Sequence, residues 1–301
     1  MDDKYGQSPL WEYHNSTSIT REAVTDLSDF KSNAVNFKLA LWDPASNGTR
    51  YLRTLTHELA LRMSPVEWRR LRRIANRDVG DPISVGVDGE RVCMDYLQAV
   101  FELGFISREV ALDNARILEI GAGYGRTCHS LMSNHDVAEY CIVDLDNALL
   151  LSRAYLERVL DEERFSRIRF VPAEDIEEAL QGRRYDLCVN IDSFAEMNHD
   201  TVRHYLALVD AHCAHLYVNN PVGKYLPEGP VEDEEVVRYA LSTGPLREVI
   251  DIYDSQAVSA ASVRFTSAYR PGEHWRCAAD ARSIPWSYYW QALYRNEAPL
   301  A

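Results

Sequence analysis

Nowhere in the 301 residues do about 18 apolar side chains follow one another, the run that a membrane-crossing helix requires. The opening stretch MDDKYGQSPLWEYHNSTS is acidic and polar, without the apolar core of a secretory signal. Neither a membrane span nor export is expected, and the expected compartment is the cytoplasm. Positive charge is also short: 32 Lys and Arg face 46 Asp and Glu, a net charge of -14. Such a field repels phosphate backbones and anionic lipid. The one basic block, EWRRLRRIANR, sets Trp68, Leu71 and Ile74 on one helical face and leaves its arginines to water. No nucleic acid and no membrane is therefore expected as a partner. The six cysteines include no C-x-x-C pair and no His/Cys grouping at metal-ligand spacing. Cys141 and Cys188 lie in strand-like runs and read as small core residues. Internal repeats and low-complexity segments are missing too. What is left is the composition of a folded globular chain, 46% hydrophobic and 26% charged. Its length suits one large α/β domain with an appendage, or two modest domains.

The first 110 residues read as helical. In SPVEWRRLRRIAN, Ser64 is the expected N-cap, Pro65 the first helical residue and Glu67 the partner in a capping box. RVCMDYLQAVFELGF spaces Leu97, Val100, Phe101 and Gly104 at helical intervals, with Gly104 as the expected C-cap. The turn-rich NRDVGDPISVGVDGER joins the two, and no strand is expected before Ala115. From there the short aliphatic runs RILEI, YCIVDL, IRFVPA, YDLCVNI and HLYVNN alternate with helical stretches. One of these is DNALLLSRAYLERVL, with Leu151, Tyr155 and Val159 on one face. The alternation predicts a parallel sheet with helices on both sides. A further helix is expected in EDEEVVRYALSTG, and LREVIDIYDS and SVRFTSAYRPGEHWRCAADAR are expected as closing antiparallel strands. The division expected is 1–110 as a helical cap and substrate-binding region and 111–301 as the cofactor-binding α/β domain.

ARILEIGAGYGRT places Gly121, Gly123 and Gly125 directly behind the first strand. In an open α/β sheet ligands sit beyond the carboxyl ends of the strands. A bare main chain there admits close approach of a cofactor, and the helix that follows offers free N–H groups. A dinucleotide fingerprint would need G-x-G-x-x-G, but Arg126 stands five residues after Gly121, where helix and strand should pack closely. Nicotinamide and flavin are thereby disfavoured. Asp144, at the end of the next strand, suits the two hydroxyls of a ribose, since a carboxylate accepts both hydrogen bonds at once. Its bland alternative is an N-cap. Together these residues indicate a nucleoside-bearing cofactor without choosing one.

The pattern E-x-G-x-G-x-G, with Glu119 two residues before Gly121, resembles motif I of the class I S-adenosylmethionine-dependent methyltransferases. YCIVDLDNALLLSRAYL, YDLCVNIDSFAEMN and YVNNPVGKY are similar to the sugar O-methyltransferase family of bacterial natural-product pathways, typified by the deoxysugar methyltransferase of the nanchangmycin pathway. DFKSNAVNFKLALWDP and NRDVGDPISVGVDGERVCMDYL are similar as well, so the likeness runs roughly from Leu27 to Tyr225. The resemblance implies a Rossmann-like class I methyltransferase fold, a seven-stranded sheet with an N-terminal helical cap. It implies methyl transfer from S-adenosylmethionine, leaving S-adenosylhomocysteine, to a hydroxyl of a small secondary metabolite, a deoxysugar of a glycosylated natural product first of all. The cofactor residues it suggests are Glu119, Gly121, Gly123, Tyr124, Asp144, Leu145, Ala173, Glu174 and Asn190. The expected partner is a small glycoside or polyketide-type acceptor, with a homodimer as the candidate assembly. The alternative is a methyltransferase-fold enzyme that keeps the cofactor as a scaffold and catalyses another reaction, such as a cyclisation.

Methylating an alcohol is mostly positioning, helped by a base. Asp192, Glu196 and His199 in NIDSFAEMNHD are the candidates. Asp192 comes first because residues just past the fourth strand border the methyl donor in this fold; its alternative is an Asx turn. His199 has a suitable unperturbed pKa but precedes a helix start. Asp192, Asn219 and Asn220 stand where some relatives hold a divalent cation, yet one carboxylate leaves a hard cation short of charge. A metal is not favoured. Nucleic-acid amine methyltransferases often carry (D/N)-P-P-(Y/F) where this chain has NIDSF, which argues against such acceptors. The aromatics of IPWSYYWQALY are expected to dock on their own domain, with stacking on the acceptor as the alternative.

Overall fold

The computed structural model of the chain describes residues 13, 16–17, 48–227 and 234–298. DFKSNAVNFKLALWDP lies outside the described residues. The chain forms two compact units, Met1–Leu61 with Ile83–Val92, and Arg62–Pro82 with Cys93–Ala301.

The first unit contains helix α1 (Gly48–Leu61) and a hairpin of β1 (Ser84–Val87) and β2 (Glu90–Cys93). The hairpin corrects the expectation that no strand precedes Ala115. Asp88 and Gly89 have φ of 49° and 80°, the left-handed pair that a two-residue hairpin turn demands. The Asp-Gly step in VGVDGERV was the signal for it.

In the second unit, α2 (Pro65–Arg73) begins with the expected capping box. Ser64 Oγ accepts the Glu67 N–H at 3.3 Å, and the Ser64 N–H donates to the Glu67 carboxylate at 2.6 Å. Helix α3 (Met94–Ile106) runs through Gly104 rather than ending there. The missing Cβ leaves room for the Arg70 guanidinium, which lies 3.0 Å from where it would stand.

Seven strands then form one sheet, in the order β5 (Ile168–Pro172), β4 (Glu139–Asp144), β3 (Arg116–Ile120), β6 (Leu187–Ile191), β7 (His215–Pro221), β9 (Tyr289–Asn296), β8 (Trp275–Arg282). The first five are parallel, and β9 is antiparallel to both its neighbours. This is the expected Rossmann-like, seven-stranded sheet. The pleat sends Leu118 and Ile120 into one core with Val143, Cys188 and Leu216, and Ile117 into another with Ile142, Val189 and Tyr217. Residues of α9 (His199–His212) and α11 (Ser255–Ala268) close the first core. Residues of α3, α4 (Arg126–Asn134) and α5 (Asp146–Val159) close the second; the short helices α6 (Glu162–Ser166), α7 (Ile176–Leu180) and α8 (Ser193–Glu196) lie in the connections between.

Three expectations change. LREVIDIYDS forms no strand beyond a bridge between Lys224 and Val249. SVRFTSA belongs to α11, which buries Val258, Ala261, Ser262 and Phe265 at helical spacing. Packing there overrides the β propensity of Val, Phe and Thr, and only the stretch from Trp275 onward becomes a strand. In α5 the buried face is Leu149, Ser152, Leu156 and Val159, while Leu151 is exposed; three consecutive leucines let a helical period be phased two ways.

Candidate functional site

The strand order reverses between β3 and β6, and the ligand crevice of an open α/β sheet lies on the carboxyl side of that switch point. Gly121, Gly123 and Gly125 lead away from it with φ of 75°, 58° and 93°. Their uses differ. A Cβ at Gly121 would stand 2.1 Å from Ser193 Oγ and one at Gly125 2.8 Å from Leu156 Cδ1, whereas one at Gly123 would meet nothing within 4 Å. Two of the three glycines therefore make room for the protein's own side chains, and Gly123 alone is bare toward open space. Asp144 ends β4 and docks on that open residue. Its Oδ2 accepts the Gly123 N–H at 2.9 Å and its Oδ1 the Leu145 N–H at 2.8 Å. Leu145 is exposed. Ala173, half-buried, and Glu174, exposed, follow β5 in a single 3-10 turn. Asp175 makes no side-chain capping bond to the helix after it.

Two residues expected at the cofactor are buried and hydrogen-bonded within the protein. The Glu119 carboxyl is 2% exposed and accepts the Tyr140 hydroxyl at 2.8 Å. Burial pushes its pKa up to about 7, against the Tyr140 hydrogen bond and the Arg126 charge. Asn190 is fully enclosed: Nδ2 donates to the Ile120 carbonyl at 3.0 Å and Ser193 Oγ at 2.6 Å, and Oδ1 accepts from Asn220 at 3.0 Å. Spacing finds a strand end; the pleat decides which way it faces. The glycine turn is instead tied to α3. The Tyr124 hydroxyl donates to Asp95 at 2.9 Å, and Arg126 pairs at 2.9 Å with Glu102, itself 2% exposed. Glu102 also accepts from Gln98 at 2.9 Å and from Asn219 at 2.8 Å.

Beyond β6, β7 and the start of β9 lies a cavity of about 520 Å³, lined by Asp192, Glu196, Lys224, Tyr288, Tyr289 and one side of α10 (Glu234–Ser242). Antiparallel pairing is what brings Tyr289 here, because it sits in register with Pro221 at the end of β7. Its hydroxyl donates to Asp192 Oδ1 at 2.6 Å. Burial first, and the Asp192 charge second, hold that phenol far above its usual pKa, so it remains a donor. Asp192 has φ 66° and ψ -41°, a strained region for a residue with a Cβ. Its N–H donates to the Asn219 carbonyl at 2.8 Å, and its carbonyl accepts from Ala195 at 2.9 Å. The side chain thus serves Tyr289 and not an Asx turn. Glu196 keeps much of its surface in solvent; partial desolvation and then Asp192 raise its pKa, with Lys224 opposing. His199 is exposed at the first position of α9 and does not line this cavity.

The Asn219 and Asn220 side chains do not converge with Asp192: both are fully enclosed, and their Nδ2 groups donate to Glu102 and Asn190. Among the described residues no three His, Cys, Asp or Glu side chains are grouped to hold a metal ion. The C-terminal aromatics divide between the two expectations. Tyr294 is buried and the Trp290 indole donates to Asp280 at 2.8 Å, whereas Tyr288 and Tyr289 line the cavity. Sequence reasoning missed Tyr289 and Lys224; the one available signal was that Lys224 stands three residues past a parallel strand's carboxyl end.

No family model matches the chain, and no curated protein matches it. Solved structures of similar fold include the methyltransferase domain of bacterial CtHen1, 13% identical over 66% of this chain and 97% of that one, with a TM-score of 0.46. A SAM dependent methyltransferase from Aquifex aeolicus is 11% identical over 67% of this chain and 93% of its own, with a TM-score of 0.42. The cyclase SpnF is 11% identical over 68% and 84%, with a TM-score of 0.46.

Proposed function

We propose that this protein is an S-adenosylmethionine-dependent O-methyltransferase acting on a hydroxyl of a small secondary metabolite, the sugar of a glycosylated natural product in first place. The observation that carries the reading is Asp144 docked on the open Gly123, on the same sheet edge as the cavity that holds Asp192. These residues fit a sulfonium nucleoside. Gly123 leaves free space, and Asp144, with one bond on each oxygen, keeps lone pairs for two ribose hydroxyls. Ala173 and Glu174 would flank the base. The bound group supplies an electrophilic methyl.

The protein's own part is positioning. With Oδ1 held by Tyr289, Asp192 keeps Oδ2 for a hydrogen bond from a second hydroxyl of the acceptor, next to the one that is methylated. Tyr225, Tyr239 and Tyr288 offer ring faces to a sugar or polyketide-type acceptor, and Pro221, Val236 and Leu241 exclude water. The test is incubation with methyl-labelled cofactor and a panel of glycosides and aglycones. Label in an ether product, with equimolar S-adenosylhomocysteine, is the expected result. A cyclised product formed without cofactor consumption overturns the reading in favour of a scaffold role, and no cofactor binding by calorimetry overturns both.

A further inference from the structure

The proton leaving the acceptor hydroxyl needs a destination, and the cavity contains one outside the residues named above for positioning. Resting on the methyl-transfer reading, we propose that Lys224 is a catalytic residue, the base whose neutral amine takes that proton as the oxygen attacks the methyl carbon.

Composition makes the position unusual. Lysine occurs four times, as Lys4, Lys31, Lys38 and Lys224, against 28 arginines (32 − 4). After residue 38, arginine fills every other Lys/Arg position, and a guanidinium does not deprotonate in proteins. A lysine amine does so readily once buried. The root of the side chain is fixed. The Lys224 N–H donates to the Glu248 carbonyl at 2.7 Å, and the Lys224 carbonyl accepts from Ile250 at 2.8 Å. Gly223 before it packs so closely that a Cβ would stand 2.8 Å from the Glu248 carbonyl oxygen.

The head is fixed as well. Nζ donates to the Ala195 carbonyl at 2.9 Å and to Thr243 Oγ1 at 3.0 Å. The Thr243 hydroxyl directs its own hydrogen to Ala195 at 2.8 Å or Ala240 at 2.9 Å, so its oxygen is free to accept. A neutral amine has two N–H bonds and one lone pair. Both N–H bonds are engaged, which leaves the lone pair on a group that lines the cavity. Burial lowers the Lys224 pKa, with Glu196 and Asp192 pulling it up and Arg247 down. An amine tuned toward neutrality is a stronger base for an alcohol than an ordinary carboxylate.

The step balances. The O–H bond breaks with its proton on Nζ, the O–CH3 bond forms, and the S–CH3 bond breaks with its electron pair kept by sulfur. The positive charge passes from sulfonium to ammonium, and Glu196 and Asp192 stand on the same cavity wall to stabilise it.

Two measurements test this. With selectively isotope-labelled lysine, the Lys224 Nζ signal is identified by its loss in Lys224→Arg. In cofactor-free protein its titration midpoint is expected below those of the other lysines, and a midpoint among theirs overturns the proposal. Next, Lys224→Arg and Lys224→Met are expected to bind cofactor within about twofold of wild type by calorimetry and to lose about 10²- to 10⁴-fold in kcat at little change in acceptor KM. Exogenous primary amines are expected to restore part of the rate to Lys224→Ala. Either Lys224→Arg or Lys224→Met keeping wild-type kcat, with Asp192→Asn losing it, overturns the proposal and gives the proton to Asp192. A wild type that binds cofactor but methylates no acceptor fails at the parent reading, a result distinct from these.

Discussion

Gly123 and Gly121 share a left-handed backbone, with φ of 58° and 75°, yet serve different ends. A side chain at Gly123 meets no protein atom within 4 Å, whereas one at Gly121 collides with Ser193. Gly123→Val should therefore cost only the backbone strain, about 1 to 3 kcal/mol, in urea unfolding, and abolish cofactor binding in calorimetry. Gly121→Ala should lose more stability than that, because Ser193 must move along with its bond from Asn190. If Gly123→Val keeps wild-type affinity, the open face of the turn is not the cofactor site. Asp192 poses the complementary case. Glycine normally destabilises relative to alanine through its unfolded-state entropy, but a residue at φ 66°, ψ -41° is strained by its Cβ. Asp192→Ala and Asp192→Gly both delete the carboxylate and the bond to Tyr289, so their difference sets the strain relieved against the entropy of glycine. The glycine variant is expected to be the more stable by about 1 kcal/mol, with both losing turnover. Equal unfolding midpoints would mean that the strain relieved no more than offsets the entropy lost.

Among the elements, α3 and α4 are joined by an ion pair with an unusual position. Arg126 opens α4, where the helix dipole disfavours a cation, and the buried Glu102 of α3 compensates at 2.9 Å. Arg126→Met should destabilise by about 3 to 5 kcal/mol, because it strands a buried carboxylate. Adding Glu102→Gln should recover part of that loss in denaturant unfolding. Additive losses would show the pair to be uncoupled. The same residue marks how far sequence reasoning reached. Arg126 argued against a G-x-G-x-x-G fingerprint, but its partner 24 positions earlier left no local trace. The five parallel strands were legible because strands buried on both faces read as short aliphatic runs. The acid following the glycines by about twenty residues was legible for the same topological reason. The hairpin at Asp88-Gly89 was legible and overlooked. The meeting of Asp192 with Tyr289, 97 residues apart, depends on an antiparallel register that no local pattern encodes. The inward turn of Glu119 and Asn190 depends on strand parity relative to helices whose placement periodicity does not fix.

At the scale of the whole molecule, two buried groups on the α3 and α4 side of the sheet set opposing pH dependences. Burial raises the Glu119 carboxyl from 4.5 to about 7, and burial lowers the His129 imidazole, which shares a 2.6 Å hydrogen bond with Tyr96, from 6.5 to about 4. Between pH 4.5 and 7 the unfolded chain has released the Glu119 proton while the folded chain retains it. Stability is therefore full below pH 4.5 and falls as pH rises, by about 3 kcal/mol across the window. Between pH 4 and 6.5 the unfolded chain binds a proton at His129 that the folded chain refuses. That contribution is full above pH 6.5 and is lost as pH falls, again by about 3 kcal/mol. From pH 4.5 to 6.5 the two slopes oppose each other and nearly cancel. Replacing either group should unmask the other. Relative to wild type, Glu119→Gln should gain stability with rising pH up to about 7, and His129→Gln should lose stability with rising pH up to about 6.5. Urea midpoints of the three proteins at half-unit pH steps measure this directly, and the difference curves remove every other titrating group. Parallel curves for all three would mean that both groups titrate in the folded protein as they do in the unfolded chain. The polar contacts around Glu119 would then offset the cost of burying its charge, and the Glu119, Tyr140 and Arg126 cluster would hold a carboxylate at neutral pH.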